Sequence, residues 1–148
     1  MQMDTKIVQL PERLSVPMIK DVRDDLNNLI STYANPSTDN FIGRVVRKKC
    51  ASYRSQDKAG GRDPSENASE TDVLELLVAS QLRCRYCRSG LRLTDGGYRQ
   101  WTLDRIDNNE SHTRDNCVIS CLLCNLEKRR TAHTRFLAGK QLRVTRLD

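Results

Sequence analysis

The residues of this chain best suited to chemistry are six cysteines and the polar side chains set between them. Cys84-Arg-Tyr-Cys87 and Cys121-Leu-Leu-Cys124 are two CxxC pairs with 33 residues between them. Two thiolates at that spacing can curl onto one metal ion, and two such pairs complete a tetrahedral set of four sulfurs. A closed set leaves no coordination position open, so the expected metal is zinc in a structural role. A redox CxxC would not need a twin. Gly90 follows the first pair where such a knuckle calls for a permissive backbone turn. Cys50 and Cys117 fall on a helical stripe and in a strand, and are expected to be buried as apolar residues.

Between and beside the pairs runs WTLDRIDNNESHTRDNCVISCLLCN, residues 101–125. Its order is a strand bearing Asp104, a polar loop (NNESHTRD) carrying His112, then Asn116, a second strand, the second cysteine pair and Asn125 at the start of a helix. Taken singly, Asp104 reads as a surface strand residue, Asn116 as part of an Asp-Asn turn and Asn125 as a helix cap. Taken together inside a four-cysteine frame, they favour a site.

In CRYC, TLDRIDN, HTRDNCVIS and CLLCNLEKR the chain resembles the HNH, or ββα-metal (His-Me finger), nucleases. The likeness is to the zinc-stapled kind typified by phage recombination endonuclease VII. It covers roughly residues 80–135, and no motif covers the first 70. Similar short HNH proteins occur in phages and large DNA viruses. The resemblance implies a metal ion pinched between the first strand and the helix, with Asp104 and Asn125 as its ligands. An acid and a neutral amide suit a hard ion that keeps several waters, Mg²⁺ or Mn²⁺, which would polarise the scissile phosphate and stabilise the leaving oxygen. It also implies that Asn116 ties the loop in place. The departure from the family is Arg105, which stands where members that cut usually carry a histidine base. Arginine stays protonated and cannot take a proton from water. His112, Asp107 and a metal-bound hydroxide are the alternatives, with His112 the leading one. Arg105 itself suits clamping two phosphate oxygens.

The chain as a whole is compatible with a polyanionic partner. Its 148 residues carry a formal charge of +6, are 37% apolar and only 5% aromatic. Residues 1–40 hold four basic and six acidic side chains, 41–62 seven and one, 63–82 none and five, and 83–148 fourteen and seven. Two positive blocks around an acidic segment point to nucleic acid, most simply DNA. Arg44, Arg47, Lys48 and Lys49 crowd one predicted helix. Lys128, Arg129 and Arg130 follow Asn125, with Arg129 four residues on and so on the same helical face. These seven are the expected backbone contacts. His133 lies on an apolar stripe with Leu126 and Leu137 and reads as structural. Arg135, Lys140, Arg143 and Arg146 form a basic tail.

No apolar run approaches the ~18 residues of a membrane span, and the polar start lacks a signal-peptide core. Residence in the cytosol, or in a nucleus or particle reached from it, is expected, with no membrane partner and with disulfides disfavoured.

The elements that must position these residues are short. One helix is expected from a cap at Ser15, with Pro17 in its first turn, Met18, Ile19, Val22, Leu26, Leu29 and Ile30 on its stripe and Asn35-Pro36 at its end. A second starts after Thr38 or Asp39, with Phe41/Ile42, Val45/Val46, Cys50 and Tyr53 as its stripe. Residues 55–69 read as a linker. Ser69 with Asp72 resembles a capping box opening a third helix, 70–82. LRLTD and YRQWTLDRI read as a hairpin around Gly96-Gly97, and 122–138 as one helix with Gly139 just past its end. The expected architecture is α+β: an N-terminal helical segment and linker (1–69) and a zinc-stapled ββα-metal nuclease core (70–148). Its expected function is metal-dependent hydrolysis of phosphodiester bonds in DNA, with a homodimer possible as in junction-resolving relatives. Two rivals stand beside it. One is a zinc-stabilised nucleic-acid-binding or packaging protein without cleavage, which Arg105 favours. The other is a zinc-ribbon interaction module, which explains the cysteines alone.

Overall fold

A computed structural model describes residues 6–9, 20–35, 40–94 and 96–146. Three helices, α1 (Lys20–Ala34), α2 (Phe41–Ala59) and α3 (Glu70–Ser80), precede a two-stranded antiparallel sheet of β2 (Trp101–Arg105) and β3 (Cys117–Cys121). Helix α4 (Leu122–Lys128) follows β3 directly, then α5 (His133–Gln141). A second antiparallel pair joins β1 (Lys6–Gln9) to β4 (Arg143–Arg146) near the two ends of the chain. The fold is therefore α+β, with a strand–strand–helix unit carrying the polar stretch. No helix among the described residues is long and apolar enough to cross a membrane.

Local chemistry explains the helix starts. Asn40 caps α2, its side chain accepting from the Gly43 N–H at 2.8 Å, so the helix opens one residue after the Thr38/Asp39 region. The expected cap at Ser15 and the first stripe residues Met18 and Ile19 lie outside the described residues. The Ser69–Asp72 box forms in both directions, at 3.1 and 2.9 Å, and α3 stops where Gln81 turns left-handed, φ 53°. Such a box satisfies two orphan N–H groups of the first turn.

Three expectations give way to the structure. First, α2 does not end near residue 54 but runs on to Ala59, through the first third of the expected linker. Gly60 and Gly61 (φ 74°) stop it, because the Ser and Asp residues before them tolerate helix while glycine takes a left-handed turn without steric cost. Second, the hairpin around Gly96-Gly97 is not a ladder. Leu93 gives its N–H to the Asp25 carboxylate on α1 at 3.1 Å, and its carbonyl accepts from the Trp101 indole at 3.0 Å. With both groups taken, only an isolated bridge, Arg92 to Gln100, remains, and β2 pairs with β3 instead, Trp101 opposite Cys121 and Asp104 opposite Val118. Third, the long C-terminal helix is two. Arg129 turns left-handed (φ 48°) after Lys128, and Gly139 lies inside α5.

One apolar cluster takes Val22 and Leu29 from α1, Val46 and Cys50 from α2 and Leu77 from α3. It continues into Trp101, Leu103 and Ile119 of the sheet. Cys50 and Cys117 are both buried in it.

Gly90 has a different role from the one its place in the knuckle suggests. Positive φ falls on Arg88 (63°), not on Gly90. What Gly90 permits is contact: a Cβ there would meet both methyls of Val22 at 3.1 Å. Gly90→Ala is expected to destabilise the fold by about 1–3 kcal/mol through overpacking against α1, read as a lowered urea midpoint. An unchanged midpoint would show that α1 shifts freely.

Candidate active site and metal centre

The four sulfurs of Cys84, Cys87, Cys121 and Cys124 lie within 4.8 Å of one another, and no disulfide joins them. A metal bound by four thiolates at ~2.3 Å separates its sulfurs by roughly 3.8 Å. The Cys87–Cys121 pair stands at 3.9 Å, so the donor set fits a structural metal such as zinc. The local chain makes the shape. In the first pair, Cys84 N–H bonds the Ser89 carbonyl (2.9 Å) and Arg88 N–H returns to the Cys84 carbonyl (3.0 Å). In the second, Cys121 ends β3 and its sulfur accepts from Cys124 N–H at 3.3 Å, serving as the N-cap of α4. Burial pushes the Cys124 thiol up to about 12, and a bound cation would offset that cost.

Beyond the cluster, β2, the last turns of α2 and α4 enclose a cleft of about 450 Å³. Asp104, Arg105, His112, Asn125 and Arg129 all line it, together with Lys49. The loop between the strands is held by Asn116. Its side-chain oxygen accepts from Asp107 N–H (2.9 Å), and its amide donates to the carbonyls of Asp107 and Ser111, both at 3.0 Å. Arg105 adds a second tie, one guanidinium nitrogen donating to the carbonyls of Asn108 (2.8 Å) and Glu110 (3.2 Å). Burial, then the nearby Arg62, pushes the Arg105 guanidinium below its ordinary value.

His112 is not a solvated loop residue. It is buried, its ring stacked on Tyr53 with centroids 4.6 Å apart. Its Nδ1 lies 2.9 Å from Asp57 Oδ2. A carboxylate only accepts, so Nδ1 carries the ring proton and Nε2 keeps its lone pair. Burial pushes the His112 imidazole below its ordinary value, against the pull of Asp57. Burial also pushes the Asp57 carboxyl up. The backbone N–H and ring of His112, with Arg62 and Asn67, outweigh that and hold it well below the usual carboxylate range.

Asp104 and Asn125 do not form a cation site as they stand. The Asp104 carboxylate is buried and accepts from the Tyr86 hydroxyl. The Lys128 ammonium stands 3.4 Å from its Oδ1 and 3.3 Å from its Oδ2. Asn125 gives its amide to Thr102 Oγ1 at 3.1 Å. A divalent ion on that carboxylate would sit beside a buried ammonium, and a double and a single positive charge ~4 Å apart repel by about 8 kcal/mol even at an effective dielectric of 20. Mg²⁺ or Mn²⁺ does not fit this arrangement.

Lys128 is thereby removed from the expected nucleic-acid surface: it is 0% exposed, because α4 ends by turning it inward onto Asp104. Arg129 and Arg130 are exposed, as are Arg44, Arg47 and Lys48. Arg47 lies 3.4 Å from Glu70. Of the four basic residues placed on α2, Lys49 alone lines the cleft. Its ammonium bonds the Trp101 carbonyl and Gln100 Oε1 (3.2 Å) and lies 4.3 Å from the Trp101 ring centroid, and burial lowers it to about 8. Leu126, assigned by spacing to an apolar stripe, is 53% exposed at the cleft. His133 packs on Tyr86, its Nδ1 2.9 Å from the hydroxyl.

Asp57, Tyr53 and Tyr86 are the site residues that sequence reasoning missed. A signal existed for Asp57. Stepping the α2 stripe onward from Ile42, Val46, Cys50 and Tyr53 by four residues reaches it, and a charged residue on a buried stripe asks for a partner. No family model, curated protein or solved structure matches this chain.

Proposed function

We propose that this chain is an HNH-type endonuclease that hydrolyses phosphodiester bonds in nucleic acid, DNA in the first place. The observation that carries the reading is His112, which lines a cleft with Lys49, Arg105 and Arg129 while its Nδ1 meets the Asp57 carboxylate. A neutral imidazole whose ordinary value has been lowered is a base at neutral pH. The three cations supply what a phosphoryl group needs, attraction for its oxygens and for the charge that develops on them. The strand–strand–helix order, with Asn116 tying the loop and sulfurs framing the helix, supports the HNH assignment, and zinc is the metal proposed for those sulfurs. The basic block 41–62 and the Arg129–Arg130 pair would grip the backbone without reading bases.

A second reading, a zinc-stabilised nucleic-acid-binding or packaging protein that does not cut, is favoured by one observation. Lys128 neutralises the acid that the resemblance assigns to the catalytic ion. Nicking of supercoiled DNA separates the two, with and without added Mg²⁺ or Mn²⁺. The wild type is expected to nick, and His112→Ala to lower the rate by roughly 10²- to 10⁴-fold, the usual worth of a general base, while DNA affinity holds. Salt-dependent binding by both proteins with no nicking by either would replace the enzyme with the binder.

A further inference from the structure

Asp57 lies on α2, well outside the 101–125 stretch that carries the other signals of the site, and its side chain is fully buried. Every hydrogen bond on its carboxylate comes from a donor. Arg62 Nε lies 2.9 Å from Oδ1, and Asn67 Nδ2 lies 2.8 Å from Oδ2. The backbone N–H of His112, at 3.0 Å, and its Nδ1, at 2.9 Å, also reach Oδ2. Holding both the backbone and the ring of one residue fixes where that ring sits and which nitrogen bears its proton. Tyr53, one turn earlier on the helix, closes the clamp. Its ring stacks on the imidazole at an interplanar angle of 29°, and its hydroxyl is pinned by the Leu103 N–H at 3.0 Å.

We infer that Asp57 is the positioning residue of a His112–Asp57 pair, so that α2 orients a base in the loop after β2, where Arg105 stands in the usual base position. The inference rests on the phosphodiesterase reading of the cleft. In the step, a water oxygen bonds phosphorus as His112 Nε2 takes that water's proton. The bond from phosphorus to the departing sugar oxygen breaks with its electron pair on that oxygen, which takes a proton from solvent. Asp57 stays ionised throughout and stabilises the imidazolium, which returns its proton to solvent. Nothing else is consumed.

The charged and titratable groups facing His112 are Asp57 and Tyr53 on α2, Arg62 just beyond it and Arg105 on β2. Replacing the carboxylate therefore leaves two guanidiniums and no anion beside the ring. Asp57→Asn is expected to lower nicking at least tenfold with DNA affinity kept, and to move the acidic limb of the rate–pH profile to lower pH, since the imidazolium loses its counter-charge. A purely structural tether would not move that limb. If the wild type nicks and His112→Ala does not, but Asp57→Asn keeps the wild-type rate and profile, the pairing is overturned and the cleft reading stands. If the wild type does not nick, both go. Because a buried Asp57→Asn can fail to fold, the ring tautomer of the unaltered protein is a second measurement. The chain has two histidines, so ¹⁵N–¹H spectra of imidazole-labelled protein, assigned with His133→Gln, read His112 directly. A proton on Nδ1 is expected, and a proton on Nε2 overturns the pairing.

Discussion

Stripping the metal from the four-cysteine cluster is expected to unfold the protein. A structural zinc contributes on the order of 10 kcal/mol to the folding of small domains, comparable with the whole stability of an ordinary one. Little here could replace it, in a chain with 5% aromatic residues. The cluster also joins the Cys84–Cys87 turn to the end of β3 and the start of α4. Cys121 is at once the last residue of β3 and the N-cap of α4. Cys84 and Cys87 flank Tyr86, which is buried and bonded to Asp104. Loss of the ion therefore frees α4 and with it Asn125, Lys128 and Arg129. Cys121→Ser is expected to behave like exhaustive chelation. Both should collapse the cooperative thermal transition seen by circular dichroism, and added Zn²⁺ should restore it only in the chelated wild type. Metal analysis should find one zinc per chain. A stripped protein that keeps its spectrum and melting temperature would remove the staple from the fold and the frame from the cleft.

The second large effect concerns Lys128 and Asp104. Each is buried, and each is the other's opposite charge. Removing one partner of a buried pair leaves an uncompensated charge and typically costs 3–5 kcal/mol. Lys128→Met keeps most of the side-chain volume and should lower the urea-unfolding free energy by about that much. Lys128→Met with Asp104→Asn should recover most of the loss, since an amide can still take the Tyr86 hydroxyl without a charge to neutralise. The double-mutant cycle reads the coupling directly. A single variant as stable as the wild type would mean that the ammonium is not what balances Asp104, and would reopen that carboxylate to a divalent ion. Wild-type nicking that depends wholly on Mg²⁺ would point the same way.

Much of this site was legible as spacing. Paired CxxC motifs carry their geometry in a few covalently linked residues, so they announce a tetrahedral cluster before any fold is known. The Ser69–Asp72 box and the Asn40 cap are local in the same sense, each a hydrogen bond across three residues. The order of Asp104, Asn116 and Asn125 likewise placed all three on the strand–strand–helix unit, two of them in one cleft.

The partners that decide the chemistry were not legible, because they come from elements whose packing no short window encodes. Asp57 and His112 are 55 residues apart in the chain, and they meet only because α2 runs five residues past Arg54 and packs against β2 through Lys49 and Tyr53. Lys128 and Asp104 meet because α4 stops at a left-handed Arg129 and returns over β2. The pattern of basic residues could not distinguish a lysine that faces solvent from one that neutralises a buried acid. Residue types and short spacings dictate which groups can bind a metal or cap a helix. Desolvation and long-range packing dictate which charges are left to face a substrate, and those two forces act only once the helices and the sheet have come together.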